Sequence, residues 1–252
     1  MINYIATATF GLEACVKREV IKLGFENVRT FDGRVEFTGD ESAIPRANLW
    51  LRCAGRVFVK MGEFKATSFE ELFQGTKALP WGDWIAVDGK FTVVGKSVKS
   101  TLHSVPDCQA IVKKAIVEKL KEKYDVDWFD ETGAEYTVQV ALLKDMATLT
   151  IDTSGSGLHK RGYRANALDA PLKETLAAAM VELSYWNKDR ILLDPFCGSG
   201  TIPIEAALIA RNIAPGLNRH FASEKWERVP ESLWKEERRK CYEAIDYDCM
   251  PE

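Results

Sequence analysis

The chain has 252 residues, which is enough to bury a substantial core and, by the usual size of domains, suggests two of them. Its net charge is −3, with 34 Lys and Arg against 37 Asp and Glu. This balance excludes a protein held to nucleic acid by its overall charge, so any such affinity would need a local basic surface.

The sequence shows no feature typical of a membrane protein, an exported protein, a metal-binding protein or a disulfide scaffold. No apolar run approaches the ~18 residues of a membrane span, and no signal-peptide pattern is visible, which predicts a soluble, cytoplasmic protein. The six cysteines are scattered, without a C-x-x-C pair, and only three histidines accompany them. The pattern therefore predicts reduced thiols and no metal site.

The first 65 residues read as a small α+β unit. Alternation predicts strands over 2–10, 34–38 and 56–64, and helical spacing predicts helices over 12–23 and 40–52. The order β-α-β-α-β over residues 1–65 is typical of a ferredoxin-like unit, and nothing in it indicates catalysis.

Residues 66–153 predict a second α+β unit. Ser68 opens a helix with a capping-box pattern, and Trp81 and Trp84 stand in a turn where we expect them to be core residues. A β-branched strand over 91–96 precedes a long helix over 104–124. Strands over 136–143 and 146–151 then form a hairpin around Lys144 and Asp145.

Basic side chains gather around that second unit. Lys96, Lys99 and His103 lie on the strand and the loop before the long helix, where they can contact phosphates without reading sequence. The helix adds further lysines, but Glu118 and Glu122 partly neutralise them. For the helix lysines alone, a solvated face is the better interpretation.

Ser154-Gly155-Ser156-Gly157 is the clearest linker pattern and predicts a domain boundary. A segment with four cationic or potentially cationic side chains around an aromatic ring follows it: His159, Lys160, Arg161, Tyr163 and Arg164. Such a set suits phosphate neutralisation with stacking on a nucleotide, although composition alone equally allows an ordinary polar segment.

The most informative stretch lies at residues 191–207. Ile191–Leu193 predict a strand buried on both faces, the glycines after it a tight turn, and the next residues a helix. No lysine follows Gly200, which excludes a P-loop, and Pro203 stands where a dinucleotide fold needs its third glycine. Asp194 suits a ligand with an ammonium group and hydroxyls, such as S-adenosylmethionine. On the short glycine element alone, a simple helix cap remains an equal alternative.

The longer stretch Asp194-Pro195-Phe196-Cys197-Gly198-Ser199-Gly200-Thr201 resembles the first motif of class I S-adenosylmethionine-dependent methyltransferases. More narrowly, it is similar to the motif of THUMP-domain RNA guanine-N2 methyltransferases. Residues 158–164 and 170–178 also resemble that family, specifically its bacterial large-subunit ribosomal RNA branch. The resemblance implies a ferredoxin-like unit (1–65), a THUMP RNA-binding domain (66–153) and the start of an α/β Rossmann-like methyltransferase domain (154–252).

The same resemblance implies the functional residues. Cofactor contacts are expected from the turn and its neighbours, at Asp194, Pro195, Phe196, Cys197, Gly198, Ser199, Gly200, Thr201, Glu205 and Thr175. RNA contacts are expected at Lys96, Lys99, His103, His159, Lys160, Arg161, Tyr163 and Arg164. An exposed helix glutamate is an equal alternative for Glu205, and a solvated first turn for Thr175.

The family implies methyl transfer to guanine N2 of large-subunit ribosomal RNA, without a metal. However, the Asn-Pro-Pro-Tyr-type motif that holds the target amine does not occur in these 252 residues. The sequence therefore predicts the front part of a longer enzyme, inactive by itself. Two alternatives stay open, which are a non-catalytic RNA-binding protein and an adenine-N6 DNA methylase.

Overall fold

The computed structural model describes residues 1–163 and 172–249, so the expectation for Arg164 lies outside the described residues. The strands of the described chain form a single seven-stranded sheet in the order β2-β3-β1-β4-β7-β6-β5. None of the helices in these ranges is both long enough and apolar enough to cross a membrane.

The N-terminal unit contains four strands and two helices: β1 (Ile2–Thr7), α1 (Glu13–Lys22), β2 (Glu26–Phe31), β3 (Arg34–Gly39), α2 (Ala43–Trp50) and β4 (Val57–Lys65). The predicted order lacked β2, whose sequence ENVRTF is largely exposed and shows no apolar alternation. It pairs with β3 at the outer end of the sheet. An edge strand of this kind leaves little periodic signal.

The second unit follows the predicted order closely, with α3 (Phe69–Lys77), β5 (Lys90–Val98), α4 (Val105–Tyr124), β6 (Glu135–Leu143) and β7 (Met146–Asp152). Ser68 and Glu71 form the expected capping box, because each side chain accepts a hydrogen bond from the other's backbone N–H. Trp81 and Trp84 are buried, as predicted.

The two units share the sheet through an antiparallel pairing of β4 with β7. One face packs against the helices and carries the core residues, such as Tyr4, Val59, Leu149 and Val138. The opposite face carries mostly polar side chains. This alternation is the usual pattern of a sheet with one buried face.

The C-terminal part contains α5 (Glu174–Leu183), α6 (Thr201–Ala210) and α7 (Glu231–Glu243). It packs back on the sheet unit, since the ring of Trp226 stacks on Tyr136 with centroids 4.8 Å apart. Arg46 on α2 also forms an ion pair with Glu237 on α7, at 3.1 Å. The C-terminal part therefore contacts both the N-terminal unit and the second unit.

The Ser-Gly stretch at 154–157 is a packed junction, not an open linker. Ser154 is buried, its hydroxyl donates to Asn48 Oδ1 at 2.6 Å, and Val57 N donates to Ser154 Oγ at 2.9 Å. Arg219 donates to the carbonyl oxygens of Ser156 and Gly157 at 2.5 and 2.7 Å. These bonds fix the chain where it leaves the sheet.

The buried strand expected at Ile191–Leu193 is wrong for the described structure. These residues have no strand geometry, and the side chains of Ile191 and Leu193 are 75% and 84% exposed. A strand needs a neighbour for its backbone hydrogen bonds, and among residues 1–163 and 172–249 no strand of the sheet pairs with this segment.

Candidate functional site

The glycine turn is formed as the sequence predicted. Gly198 and Gly200 have φ values of +56° and +73°, in the left-handed region that side chains disfavour, and Gly200 N donates to Cys197 O at 2.8 Å. Helix α6 begins directly afterwards at Thr201. A Cβ at Gly198 would meet nothing within 4 Å, so the backbone there is open to a ligand. In the first turn of α6, Pro203 has no N–H and Ile204 N donates to Gly200 O at 3.0 Å, so the N–H of Ile202 is the donor that this turn can add beside it.

Asp194 lies at the start of this turn, half-buried. Its Oδ1 accepts a hydrogen bond from Phe196 N at 3.2 Å, which fixes the carboxylate. Within the described ranges, Oδ2 has no hydrogen-bond partner. A fixed carboxylate with one unused oxygen can accept from an ammonium group or a hydroxyl.

An apolar hollow of about 380 Å³ adjoins the turn. Its lining combines Asp194 with side chains of α5, the segment before the turn and α6, including Met180, Trp186, Leu193 and Ile202. The hollow therefore offers apolar surface next to one carboxylate, which suits a ligand with both an aromatic ring and a cation.

The remaining predicted cofactor residues have different environments. Pro195, Phe196, Cys197 and Gly198 are exposed, whereas Ser199 and Gly200 are half-buried. Thr201 is buried at the first turn of α6, and Thr175 is buried on the neighbouring α5. Helices α5 and α6 pack together, so Thr175 lies on the element that supports the turn.

Glu205 and Arg161 were predicted for cofactor and RNA contact, but the structure pairs them with each other. Glu205 is fully buried, and both of its oxygens lie 3.4 Å from guanidinium nitrogens of Arg161. The hydroxyl of Tyr163 donates to Glu205 Oε1 at 3.0 Å. The Arg161 side chain is also buried, so its charge is not on the surface. This ion pair fixes the segment after the junction to the helix that follows the glycine turn.

The Arg161 pair continues into a buried polar network. Arg161 Nη2 donates to Arg52 O at 2.6 Å, and the backbone N–H groups of Arg52 and Cys53 donate to Glu19 at 2.8 and 3.1 Å. Burial raises the pKa of Glu19 to about 7, with the nearby Glu182 carboxylate adding to the shift. The network joins α1, the loop after α2, α5 and α6. Sequence reasoning did not find it.

Carboxylate and thiol groups in the same network lie close enough to hold a metal ion. The ligand atoms of Glu19, Cys53 and Glu182 all lie within 4.8 Å of one another. The buried Arg52 guanidinium lowers the pKa values of both carboxyls, against the larger effect of burial. It therefore already provides positive charge where a metal ion would.

Lys96, Lys99 and His103 are all exposed at the end of β5 and in the loop after it. The turn between β6 and β7 lies beside them, because Lys144 N donates to Val98 O at 3.2 Å. That contact adds Lys144 to the basic edge. The neighbouring Thr101 N donates to Asp145 Oδ1 at 2.7 Å and holds the two loops together.

The basic segment after the junction is less exposed than predicted. Lys160 is exposed, but His159 is half-buried, and burial lowers its pKa below the usual value. His159 is therefore neutral at neutral pH and adds no positive charge for a phosphate. The structure brings together Lys96, Lys99 and His103 at one edge. It brings Arg161 and Glu205 together in the interior, with the half-buried Tyr163 bonded to Glu205.

Comparison with known families divides the chain into three parts. Residues 3–58 match the family described as "RlmL ferredoxin-like domain", residues 66–152 match "THUMP domain", and residues 161–249 match "RMKL-like, methyltransferase domain". The first two matches cover the two halves of the sheet, the third covers the C-terminal part, and the junction at 154–157 lies between the second and the third.

Solved structures are similar to this chain over nearly its whole length. The structure named "SMU.472, a putative methyltransferase complexed with SAH" is 46% identical, with a TM-score of 0.94, and the match covers 100% of this chain and 67% of that one. The chain belongs to the THUMP-containing methyltransferase family. A "predicted N6-adenine-specific DNA methylase" from Listeria monocytogenes is 57% identical, with a TM-score of 0.96, over 98% of this chain and 65% of that one.

Curated relatives of this family are longer than the chain. "Putative RNA methyltransferase YpsC" from Bacillus subtilis is 58% identical over 97% of this chain and 64% of its own length. "Ribosomal RNA large subunit methyltransferase K/L" from Psychromonas ingrahamii is 36% identical over 93% of this chain and 32% of its own length. The chain thus spans about two thirds of the first relative and one third of the second.

Proposed function

We propose that the enzyme to which these residues belong transfers a methyl group from S-adenosylmethionine to the exocyclic N2 of a guanine in large-subunit ribosomal RNA. The observation that carries the proposal is the open glycine turn with its fixed Asp194, located in the same chain as a sheet with a basic edge. The relative named for large-subunit ribosomal RNA and the SAH complex of SMU.472 support the substrate and the cofactor.

The residues around the turn fit this cofactor. When bound, S-adenosylmethionine supplies the methyl group on its sulfonium. The unused oxygen of Asp194 would accept a hydrogen bond from its ammonium or a ribose hydroxyl, and the N–H of Ile202 at the start of α6 would provide a donor. The apolar hollow beside Asp194 would take the adenine ring.

The RNA would lie along the basic edge of the sheet. The reaction would take place in the cytoplasm. Lys96, Lys99 and His103 are exposed there, and Lys144 extends the row. Contacts of this kind position a nucleic acid through its phosphates without reading sequence. Lys160 is a further exposed candidate near the junction, whereas the burial of Arg161 makes it a support for α6 instead.

The experiment that tests this function compares the RNA of cells with and without the gene. We expect large-subunit ribosomal RNA from gene-deleted cells to lose one N2-methylguanosine, as measured by mass spectrometry of nuclease fragments. The wild-type gene should restore the modification and Asp194→Ala should not. Unchanged N2-methylguanosine would overturn the proposal.

A second candidate, methylation of adenine N6 in DNA, is favoured by the name given to the Listeria relative. The same deleted cells distinguish it, because their DNA would lose N6-methyladenine while the ribosomal RNA stays unchanged. The THUMP match over residues 66–152 supports the RNA substrate.

We also propose that residues 1–252 by themselves bind RNA without transferring methyl groups. The segment from Ile191 to Phe196 is largely exposed, so it would contact a cofactor from one side only. Calorimetric titration of this chain with S-adenosylmethionine and with an RNA hairpin tests the point. Tight cofactor binding together with methyl transfer by these residues would contradict it.

A further inference from the structure

A cleft of about 410 Å³ crosses the polar face of the sheet, where the N-terminal unit meets the THUMP unit. One side comes from the turn between β2 and β3, and the other from the ends of β5 and β6. We call it the sheet cleft and define it by six lining residues: Phe31, Arg34, Phe58, Lys96, Gln139 and Thr150. Its volume lies in the range of small-ligand sites.

The end of β2 gives the sheet cleft an aromatic side chain that is partly exposed. Phe31 is 43% exposed, and the guanidinium carbon of Arg34 lies 5.0 Å from its ring centroid. Aromatic rings and guanidinium planes are the two surfaces on which proteins stack unpaired RNA bases. Phe58 and Thr150, which are nearly fully buried, form the floor between the two sides.

Carboxylates next to the sheet cleft balance the charge of Arg34, and Asp32 adds a further carboxylate to the lining itself. Arg34 lies 3.0 Å from Glu36 and 3.1 Å from Glu63, and Lys60 contacts the same two carboxylates. This balance gives no net attraction for a phosphate. Gln139 lines the cleft, half-buried, and its side-chain amide has no hydrogen-bond partner in the described ranges. A free amide, which both donates and accepts, suits the edge of a neutral base.

The rim of the sheet cleft has the opposite character. Lys96 lies at the rim, and Lys99 and Lys144 follow at the same end of β5. In the part of the chain that the structure describes, none of these three ammonium groups pairs with a carboxylate. Unpaired cations at the rim and a neutral, aromatic interior together match a polyanion that carries neutral aromatic groups.

We propose that the sheet cleft binds an unpaired nucleobase of the RNA substrate, while the rim lysines hold the flanking phosphates. The base stacks against Phe31 and the guanidinium of Arg34, and the amide of Gln139 bonds its edge. This assignment rests on the proposed RNA substrate and adds a place where single-stranded RNA is distinguished from duplex.

The test measures fluorescence anisotropy of the 252-residue chain with three labelled RNAs. These are a hairpin with a loop of unpaired adenines, the same hairpin with abasic sugars in the loop, and a blunt duplex of equal length. Phe31→Leu keeps apolar bulk and removes the ring. Phe69→Leu is the matched control, since Phe69 is 39% exposed on α3, outside the cleft.

We expect Phe31→Leu to weaken binding of the adenine-loop hairpin about five- to tenfold, the scale of one lost base–aromatic stack. Gln139→Leu should weaken it about threefold, the scale of one lost hydrogen bond. Neither variant should change binding of the duplex or the abasic hairpin, which also shows that both variants are folded. Phe69→Leu should bind all three RNAs as the wild type does.

Two outcomes separate this inference from the proposed function. If the wild type binds the adenine-loop hairpin but Phe31→Leu binds it equally well, the cleft assignment is overturned and the RNA substrate stands. If the wild type binds none of the three RNAs, both the cleft assignment and the RNA substrate are overturned.

Discussion

The sheet unit and the glycine-turn segment place the same residue type in opposite environments. Phe37 on β3 is 1% exposed, and its ring stacks on Phe25 and Tyr4 with centroids 4.7 and 5.4 Å away. Phe196 in the turn is 94% exposed. The sheet unit thus buries this ring in its core, whereas the turn presents its ring at the surface.

This difference shows that the two regions are stabilised by different interactions. The sheet unit is stabilised by burial of apolar surface, which does not depend on the turn. The turn is held by its own short hydrogen bonds and by the packing of α5 on α6. Between the two regions runs a buried charged network, with Arg161 and Glu205 at its centre. The first two predictions test this division.

The same substitution should have opposite consequences in the two regions. Phe37→Ala removes a buried ring and leaves a cavity, so we expect the free energy of unfolding to fall by about 4 kcal/mol. Phe196→Ala should change it by less than about 0.5 kcal/mol, as for other surface sites. Urea denaturation followed by circular dichroism measures both. A loss of similar size in the two variants would remove the contrast.

The free energy of unfolding should depend nearly as strongly on the buried ion pair between Arg161 and Glu205. Arg161→Ala leaves Glu205 buried without its partner, which we expect to lower the free energy of unfolding by about 3 kcal/mol. Lys160→Ala is the control, because Lys160 is exposed and adjacent; its effect should stay below about 0.5 kcal/mol. The same urea titration applies. An Arg161→Ala protein as stable as the wild type would show that this ion pair does not stabilise the fold.

Local sequence patterns predicted most of the sheet unit. The capping box at Ser68 and the hairpin around Lys144 each involve residues close in sequence, and both are present. Strand β2 was missed because its side chains are exposed and its polar sequence has no period. The strand expected at Ile191–Leu193 failed for the reverse reason: an apolar run forms a strand only beside another strand.

The candidate site could be predicted only where its residues are contiguous in the sequence. The turn from Asp194 to Thr201 could be identified because its glycines, carboxylate and helix start follow one another. The pairing of Arg161 with Glu205 spans 44 residues, and no local pattern reports such a contact. The sheet cleft is even harder to predict from sequence, since Phe31 and Gln139 line the same cleft only because the two units share one sheet through β4 and β7.

Cofactor binding and RNA binding should separate at Asp194. Asp194→Ala removes a charged acceptor, so we expect affinity for S-adenosylmethionine to fall about 10- to 100-fold, the scale of a lost charge-assisted hydrogen bond. Affinity for an RNA hairpin should not change, because the basic edge belongs to the sheet unit. Calorimetry measures both ligands on the same preparation. Equal loss of the two affinities would mean that Asp194 has a structural role.

The smallest expected effects concern the basic edge. Lys96→Gln and Lys99→Gln each remove one exposed cation, so we expect RNA affinity to fall only a few-fold, with the slope of log affinity against log salt reduced by about 1. Lys119→Gln is the control, since Lys119 on α4 lies 3.6 Å from Glu122 and belongs to the neutralised helix face. Anisotropy titrations over a salt series measure the slope. If Lys119→Gln lowers the RNA affinity and the salt slope as much as the two edge variants do, RNA binding depends on the overall lysine content and not on the edge of β5. The sheet unit would then lack the specific RNA surface that distinguishes it from the turn.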